Sequence, residues 1–309
     1  MNSKKQRVVT GLLITVVYIA IVVLTLYVHP IFFDIFVFLL AACGAYEVAK
    51  ALKNVTSPAI IVLDMIGIVV GFGAFWFAQY YFKQYSVGLA AYFVSLFVMI
   101  IVTVIVTAAS KTYVKGNAVS TIFVMLYPCA VLMLSMGLNY FISGNIDVGI
   151  TGSQPQRNAG IALLFVIPTF TDMLAYAIGS AIKGKKLCPS ISPNKTISGA
   201  IGGLFGGILA AGFITLLMFL AEHFGINLFG LAKITDSWTT TIINMLVIGL
   251  VGSVFDQCGD LIASYIKRRT NIKDYSNLLP GHGGIIDRVD GFMFCGVFIY
   301  LYFAVMVLI

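Results

Sequence analysis

Residues 87–109, VGLAAYFVSLFVMIIVTVIVTAA, run for 23 positions without a charged side chain. Wound as a helix, such a run reaches about 30 Å or a little more, the hydrocarbon thickness of a bilayer. It is one of about nine comparable runs, at approximately 8–28, 31–48, 59–80, 87–109, 119–142, 160–182, 200–221, 239–266 and 291–309. Sixty per cent of the 309 residues are hydrophobic and ten per cent charged, with a mean hydropathy of +1.01. That much apolar surface does not fit inside a soluble domain, so the solvent is lipid. A β-barrel would show short alternating segments instead of continuous runs, whereas a helix satisfies its backbone polar groups within each run. The expected fold class is all-α, a polytopic integral membrane protein with about nine transmembrane helices.

The basic residues set an orientation. With the N-terminus inside, sixteen of the nineteen Lys and Arg fall in inside segments, among them Lys50, Lys111, Lys115, Lys183 and Lys267. Only Lys83, Arg157 and Lys233 fall outside. This positive-inside bias predicts a cytoplasmic N-terminus and a C-terminus outside. The net charge of +7 is then a topology signal, and no nucleic-acid partner is expected. The first run is long enough to span and lacks a small-residue cleavage site, so it is expected to remain as the first helix. Cys43, Cys129, Cys188, Cys258 and Cys295 show no CxxC pairing and lie outside the predicted outer loops, so no structural disulfide is expected.

Residues 1–145 read as N-terminal helices, about five, and 146–309 as a C-terminal catalytic region of about four helices. The polar segment 143–159, SGNIDVGITGSQPQRNA, marks the boundary. In the first region Asp34 and Glu47 sit near helix ends and read as interfacial. Asp64 lies deeper, where an ionisable group is a functional candidate by default, although no partner is in view.

Beyond residue 160 polar residues cluster in inside loops and the adjoining helix ends. The first cluster is 172–203, DMLAYAIGSAIKGKKLCPSISPNKTISGAIGG. Its lysines 183, 185, 186 and 195 fit the positive-inside bias. They also surround a rigid element in which Pro189 and Pro193 bracket Ser190-Ile191-Ser192, and Asn194-Lys195-Thr196 leads into a helix. A helix start with free N–H groups, hydroxyls and a lysine suits phosphate, which makes Ser192, Lys195 and Thr196 candidates. Gly199, Gly202, Gly203, Gly206 and Gly207 hold small-xxx-small spacings and read as close helix packing.

The second cluster is 256–290, DQCGDLIASYIKRRTNIKDYSNLLPGHGGIIDRVD. On one helix Asp256, Asp260, Ser264 and Lys267 fall within a stripe about 80° wide. Each carboxylate in hydrocarbon costs about 2.5 kcal/mol or more unless it is paired or faces a cavity. Asp287 and Asp290, at i and i+3, share a face near the start of the last span. Brought near Asp260, they would require protonation or a cation. Hard oxygens without a His/Cys set point to magnesium rather than zinc. Taken alone, Asp287-Arg288-Val289-Asp290 also fits a helix N-terminus favoured by its dipole. Between the acids, Pro280-Gly281-His282-Gly283-Gly284 is either a flexible loop or a close backbone approach to phosphate, with His282 as a donor.

Ser264-x-x-Lys267-Arg268, Lys273-Asp274, Pro280-Gly281-His282-Gly283-Gly284 and Asp287-Arg288-x-Asp290 together resemble the signature of the phosphatidate cytidylyltransferase family. Ser192-Pro193-x-Lys195-Thr196 and Gly259-Asp260-Leu261 resemble secondary motifs of that family. The likeness covers roughly residues 170–292. Ser180, Ser198 and Ala263 depart from it, standing where compared members often carry Arg, Glu and Glu. The resemblance implies a homodimeric membrane enzyme of the bacterial cell membrane, with a cytoplasm-facing site that takes CTP and phosphatidic acid. It implies Asp260, Asp287 and Asp290 as metal ligands, acting with Lys267 in catalysis. Ser192, Lys195, Thr196, Ser264, Arg268, Lys273, His282, Gly283, Gly284 and Arg288 would bind phosphate or substrate. Magnesium is the implied cofactor, with a second cation left open. Two other readings remain: a CTP-dependent polyprenol or phytol kinase, and an ion-coupled transporter, whose pathways are also lined by intramembrane carboxylates.

Overall fold

The computed structural model describes residues 3–53, 56–109, 116–140 and 155–308. Lys111, Lys115 and positions 143–154 of the polar boundary segment lie outside the described residues. Among the described residues nine helices are long and apolar enough to cross a membrane, and the protein is a polytopic, all-α integral membrane protein. The elements are α1 (Ser3–Val23), α2 (Ile31–Ala51), α3 (Pro58–Phe82), α4 (Tyr85–Ala109), α5 (Gly116–Val124), α6 (Val131–Met136), α7 (Pro155–Ile182), α8 (Ile197–Phe224), α9 (Trp238–Arg269) and α10 (Ile286–Leu308). A five-residue π turn, Leu24–Val28, completes the first span. It stops at His29, whose extended backbone is what the following Pro30 imposes.

The fifth span is composite: α5, a π turn at Met125–Ala130, α6 and a 3-10 turn at Gly137–Tyr140. Pro128 lies in the π turn. Lacking an N–H and crowding the preceding turn, a proline favours such a local widening, although Pro168 is accommodated inside the regular helix α7. This span is the centre of the bundle, with 67% of its apolar window buried, against 6% for the first span. α1 therefore rides on the periphery, held by Tyr18 against Phe36, Phe165 and Phe292 and by the Thr10 hydroxyl donating to Pro280 O at 3.1 Å.

The glycines of α8 do allow close packing. A Cβ at Gly202 would stand 2.9 Å from Leu174 O of α7, and one at Gly207 would run into Gly249 O of α9. These contacts draw α7, α8 and α9 into one compact layer. Between α7 and α8 the chain forms a small hairpin not expected from the sequence, in which β1 (Lys186–Cys188) pairs antiparallel with β2 (Ser192–Thr196).

Several expectations change, and α7 begins at Pro155, before its apolar run at 160. The last span begins at Ile286, earlier than its apolar run at 291, because Asp287, Arg288 and Asp290 depress hydropathy without hindering helical hydrogen bonding. Asp34, near a helix end as expected, lies in the first turn of α2 and is buried among polar partners at the end of the bundle away from the motifs. It accepts hydrogen bonds from Asn139 Nδ2 at 2.8 Å, Trp76 Nε1 at 3.4 Å and the Tyr140 hydroxyl. Arg157 of α7 joins this network by donating to Asn139 Oδ1 at 3.2 Å and Thr25 O at 3.1 Å. Asp64 is fully buried on α3 with Thr121 of α5 beside it. All five cysteines are free.

Candidate active site

α9 carries its polar stripe against the start of α10, and two glycines permit the approach. A Cβ at Gly259 would collide with Asp290 O and Phe294, and a Cβ at Gly291 would collide with the Asp256 carboxylate. This reciprocal contact brings the acids of both helices around one cavity of about 200 Å³. It is lined by Asp172 from α7, Asp256, Asp260 and Lys267 from α9, Asp274 from the connecting loop, and Asp287, Arg288 and Asp290 from α10. Pro168 and Phe292 close its apolar side. The volume is below the roughly 300–1,000 Å³ of pockets that enclose a whole ligand. It has room for a small anionic group rather than an entire nucleotide.

Lysines hold two of the acids. Lys195 Nζ lies 2.5 Å from Asp260 Oδ2, and Lys267 Nζ lies 2.7 Å from Asp287 Oδ1. The first pair is partly open, with side chains 27% and 33% exposed, and the second is buried, at 13% and 3%. Asp287 Oδ2 also accepts the backbone N–H groups of Tyr275 and Gly284, each at 2.9 Å. Lys267 stands over the Tyr275 ring, 5.7 Å from its centre. Burial, and then the Asp287 carboxylate, raise the Tyr275 phenol well above its ordinary range, so it stays a neutral donor, here to Ala263 O at 3.3 Å. Asp260 Oδ1 accepts a long 3.3 Å bond from Ser264 Oγ.

Other candidates stand around this centre without lining it. Thr196 is buried and caps α8, its Oγ1 accepting Gly199 N at 3.1 Å. That occupies one of the free N–H groups expected to meet phosphate. Ser192 lies in β2. Arg268 ties α9 to the hairpin turn through Ile191 O at 3.1 Å. His282 packs near Gly11 of α1, while its carbonyl accepts Arg288 Nε at 3.0 Å. Lys273 is exposed in the loop.

The two motif glycines serve the protein's own carboxylates. Gly283 has φ +85°, and a Cβ there would meet Asp287; a Cβ at Gly284 would stand 2.5 Å from Glu47 Oε2. Asp172, Asp256 and Asp274 join the cavity although sequence reasoning gave them no role. For Asp256 the signal was its spacing of four from Asp260. Glu47, read as interfacial, is buried against the motif loop.

Among the described residues no three His, Cys, Asp or Glu side chains gather closely enough to hold one metal ion as they lie. In kind the donors do fit a hard divalent cation. Six carboxylates face two bases in the lining, and all the acids offer oxygen.

Fold and cavity thus define a membrane-embedded protein with an acidic, carboxylate-lined cavity at one end of its helix bundle. The chain matches the cytidylyltransferase family over residues 5–306 and belongs to it. It is 29% identical to the phosphatidate cytidylyltransferase of Bacillus subtilis (strain 168) over 310 residues, covering 98% of this chain and 99% of that protein. A Brucella abortus phosphatidate cytidylyltransferase is 32% identical over 204 residues, covering 61% and 67%. One from Staphylococcus aureus is 38% identical over 152 residues, covering 48% and 52%.

Proposed function

We propose that this protein transfers the cytidylyl group of CTP to phosphatidic acid, giving CDP-diacylglycerol and pyrophosphate, with the reaction held in the cavity between α9 and α10. The observation that carries this reading is that Asp260, Lys267, Asp287, Arg288 and Asp290, all drawn from the family-like motifs, line one cavity.

An oxygen of the phosphatidic acid phosphate attacks the α-phosphorus of CTP. The bond from that phosphorus to the β-phosphate bridging oxygen breaks, and pyrophosphate leaves with the electron pair. A phosphomonoester has a second pKa of about 6 and is largely dianionic near neutrality, so no strong base is required. The chain must instead gather two anions and hold them in line. Lys267 and Arg288 face the cavity and supply charge-assisted hydrogen bonds to phosphate. Lys195, on a pair partly open to solvent, can exchange Asp260 for an arriving phosphate oxygen. Magnesium would be held by Asp260, Asp287 and Asp290, where it supplies neutralisation of the phosphate charge. Asp172 and Asp256 leave carboxylates for a second cation.

The site faces the cytoplasm of a bacterial cell, with the first helix entering from inside and the last ending outside. The lysine and arginine distribution supports this orientation. Phosphatidic acid keeps its tails in the bilayer while its head group reaches the cavity. The homodimer rests on the family resemblance.

The test is to supply purified protein with phosphatidic acid and CTP labelled at either the α- or the γ-phosphate. Label enters lipid from the α position alone under this reading. Transfer from the γ position would make it a kinase, and transfer from neither would favour transport.

A further inference from the structure

Glu47 lies on α2, which carries none of the family-like motifs. Its carboxylate is buried, with 3% of the residue exposed. It accepts three hydrogen bonds: Ser276 Oγ at 2.5 Å and Ile285 N at 2.9 Å to Oε1, and Ile286 N at 2.9 Å to Oε2. Ile285 is the last loop residue and Ile286 the first of α10. Glu47 therefore satisfies free N–H groups at the start of the helix that carries Asp287 in its first turn and Asp290 just beyond it, and its charge sits at the positive end of the helix dipole.

The surroundings are shaped for this contact from both sides. A Cβ at Gly284 would lie 2.5 and 2.6 Å from the two Glu47 oxygens, and a Cβ at Gly44, almost one turn before Glu47, would lie 2.6 Å from Ile286 Cδ1. The absence of side chains at Gly44 and Gly284 is what lets α2 close on the loop. Gly284 N then donates to Asp287 Oδ2 at 2.9 Å, and Asp287 holds Lys267 at 2.7 Å. An unbroken path of hydrogen bonds and one short backbone segment connects Glu47 to the cavity.

We propose that Glu47 is a positioning residue for cytidylyl transfer: it fixes the loop 276–286 and the start of α10, and so the direction in which Asp287 and Asp290 face the reacting phosphates. The inference rests on the reading that these aspartates act in the reaction. α10 also packs against α6, α7 and α9, so losing the Glu47 contact loosens the helix start and leaves the span in place.

Three variants of the full chain, purified in detergent, test it. Glu47→Gln keeps the volume but turns an amide NH₂ toward backbone donors. Glu47→Ala empties the space. Gly284→Ala drives a methyl group into the carboxylate. Supporting partners one step from a site typically contribute about 10- to 100-fold to activity. Glu47→Gln and Gly284→Ala should each lower kcat per folded molecule by about that factor, with the KM for CTP less affected. Hydrogen exchange over residues 276–290 should quicken while α7 and α8 keep their protection. In the double variant Glu47→Ala/Gly284→Ala the methyl occupies the vacated space, so the losses should not add.

Normal kcat and exchange in Glu47→Gln would overturn the proposal, as would a loss of activity matched by a loss of folded protein. Asp290→Asn separates the two levels. If it is inactive while Glu47→Gln is fully active, Glu47 alone is misassigned; if it turns over normally, the site reading falls and this inference with it.

Discussion

Asp260→Asn is the sharpest probe of the site, because the structure separates its effect on folding from its effect on chemistry. The pair it disrupts with Lys195 is 2.5 Å long, but the side chains are 27% and 33% exposed. Solvent-open pairs contribute at most about 1 kcal/mol. The other contact of Asp260, from Ser264, is 3.3 Å long and weak by geometry. Asparagine keeps the shape, so the variant should insert and fold. What it removes is a full negative charge in the cavity. Loss of a preorganised electrostatic group at a reacting centre costs on the order of 10²- to 10³-fold in kcat, or about 3–4 kcal/mol. Asp256→Asn sits one turn away on the same stripe, is 4% exposed and should lose less. The assay is initial rate of label transfer from CTP to lipid, at matched membrane expression, across a magnesium titration. Raised magnesium should partly restore Asp260→Asn if affinity is what it lost. Full activity of Asp260→Asn at low magnesium would refute the assignment. Equal collapse of both variants would extend the ligand set to Asp256.

The buried pair behaves differently. Lys267→Met strands Asp287 without its counter-ion and should cost about 3 kcal/mol of stability, whereas Lys195→Met should cost no more than about 1 kcal/mol. Thermal unfolding in detergent distinguishes them, and Lys267→Met/Asp287→Asn should recover part of the loss because no unpaired charge remains. At the opposite end of the bundle, Asp34→Ala orphans the Tyr140 hydroxyl and Trp76 Nε1, while Asn139 Nδ2 keeps Pro30 O at 2.7 Å, and should destabilise by about 1–3 kcal/mol. Turnover per folded molecule should hold; a selective fall would give this network a catalytic part. For orientation, Cys188 as the sole remaining cysteine should react with a membrane-impermeant thiol reagent in inside-out vesicles and not in intact cells. The reverse pattern would overturn the cytoplasmic placement.

Much of this protein was legible in one dimension because lipid is a demanding solvent. A bilayer requires long apolar runs, so the spans could be located from hydropathy alone. It also makes each intramembrane charge costly, so the stripe Asp256, Asp260, Ser264 and Lys267 stood out on its helix. The small-residue spacings of α8 pointed correctly to helix contact, since only small side chains admit a neighbouring backbone.

Other features depended on partners far away in the chain. Hydropathy placed the last span too late, because it measures affinity for lipid while Ile286–Asp290 become helical through hydrogen bonds and the Glu47 cap. The hairpin of Lys186–Cys188 and Ser192–Thr196 was hidden in a short polar segment punctuated by two prolines. Gly283 and Gly284 looked like openings for phosphate, and the folded chain fills them with Asp287 and Glu47. Lys195 and Lys267 were legible as cations, but which acid each would neutralise was not. The sequence alone determined that charged groups would be forced together at one end of a lipid-solvated bundle, because their spacing and the lipid leave few alternatives. Tertiary structure alone decided their pairings, since hydrogen bonds and ion pairs act over about 3 Å in space and leave no periodic trace when the partners are far apart in the chain.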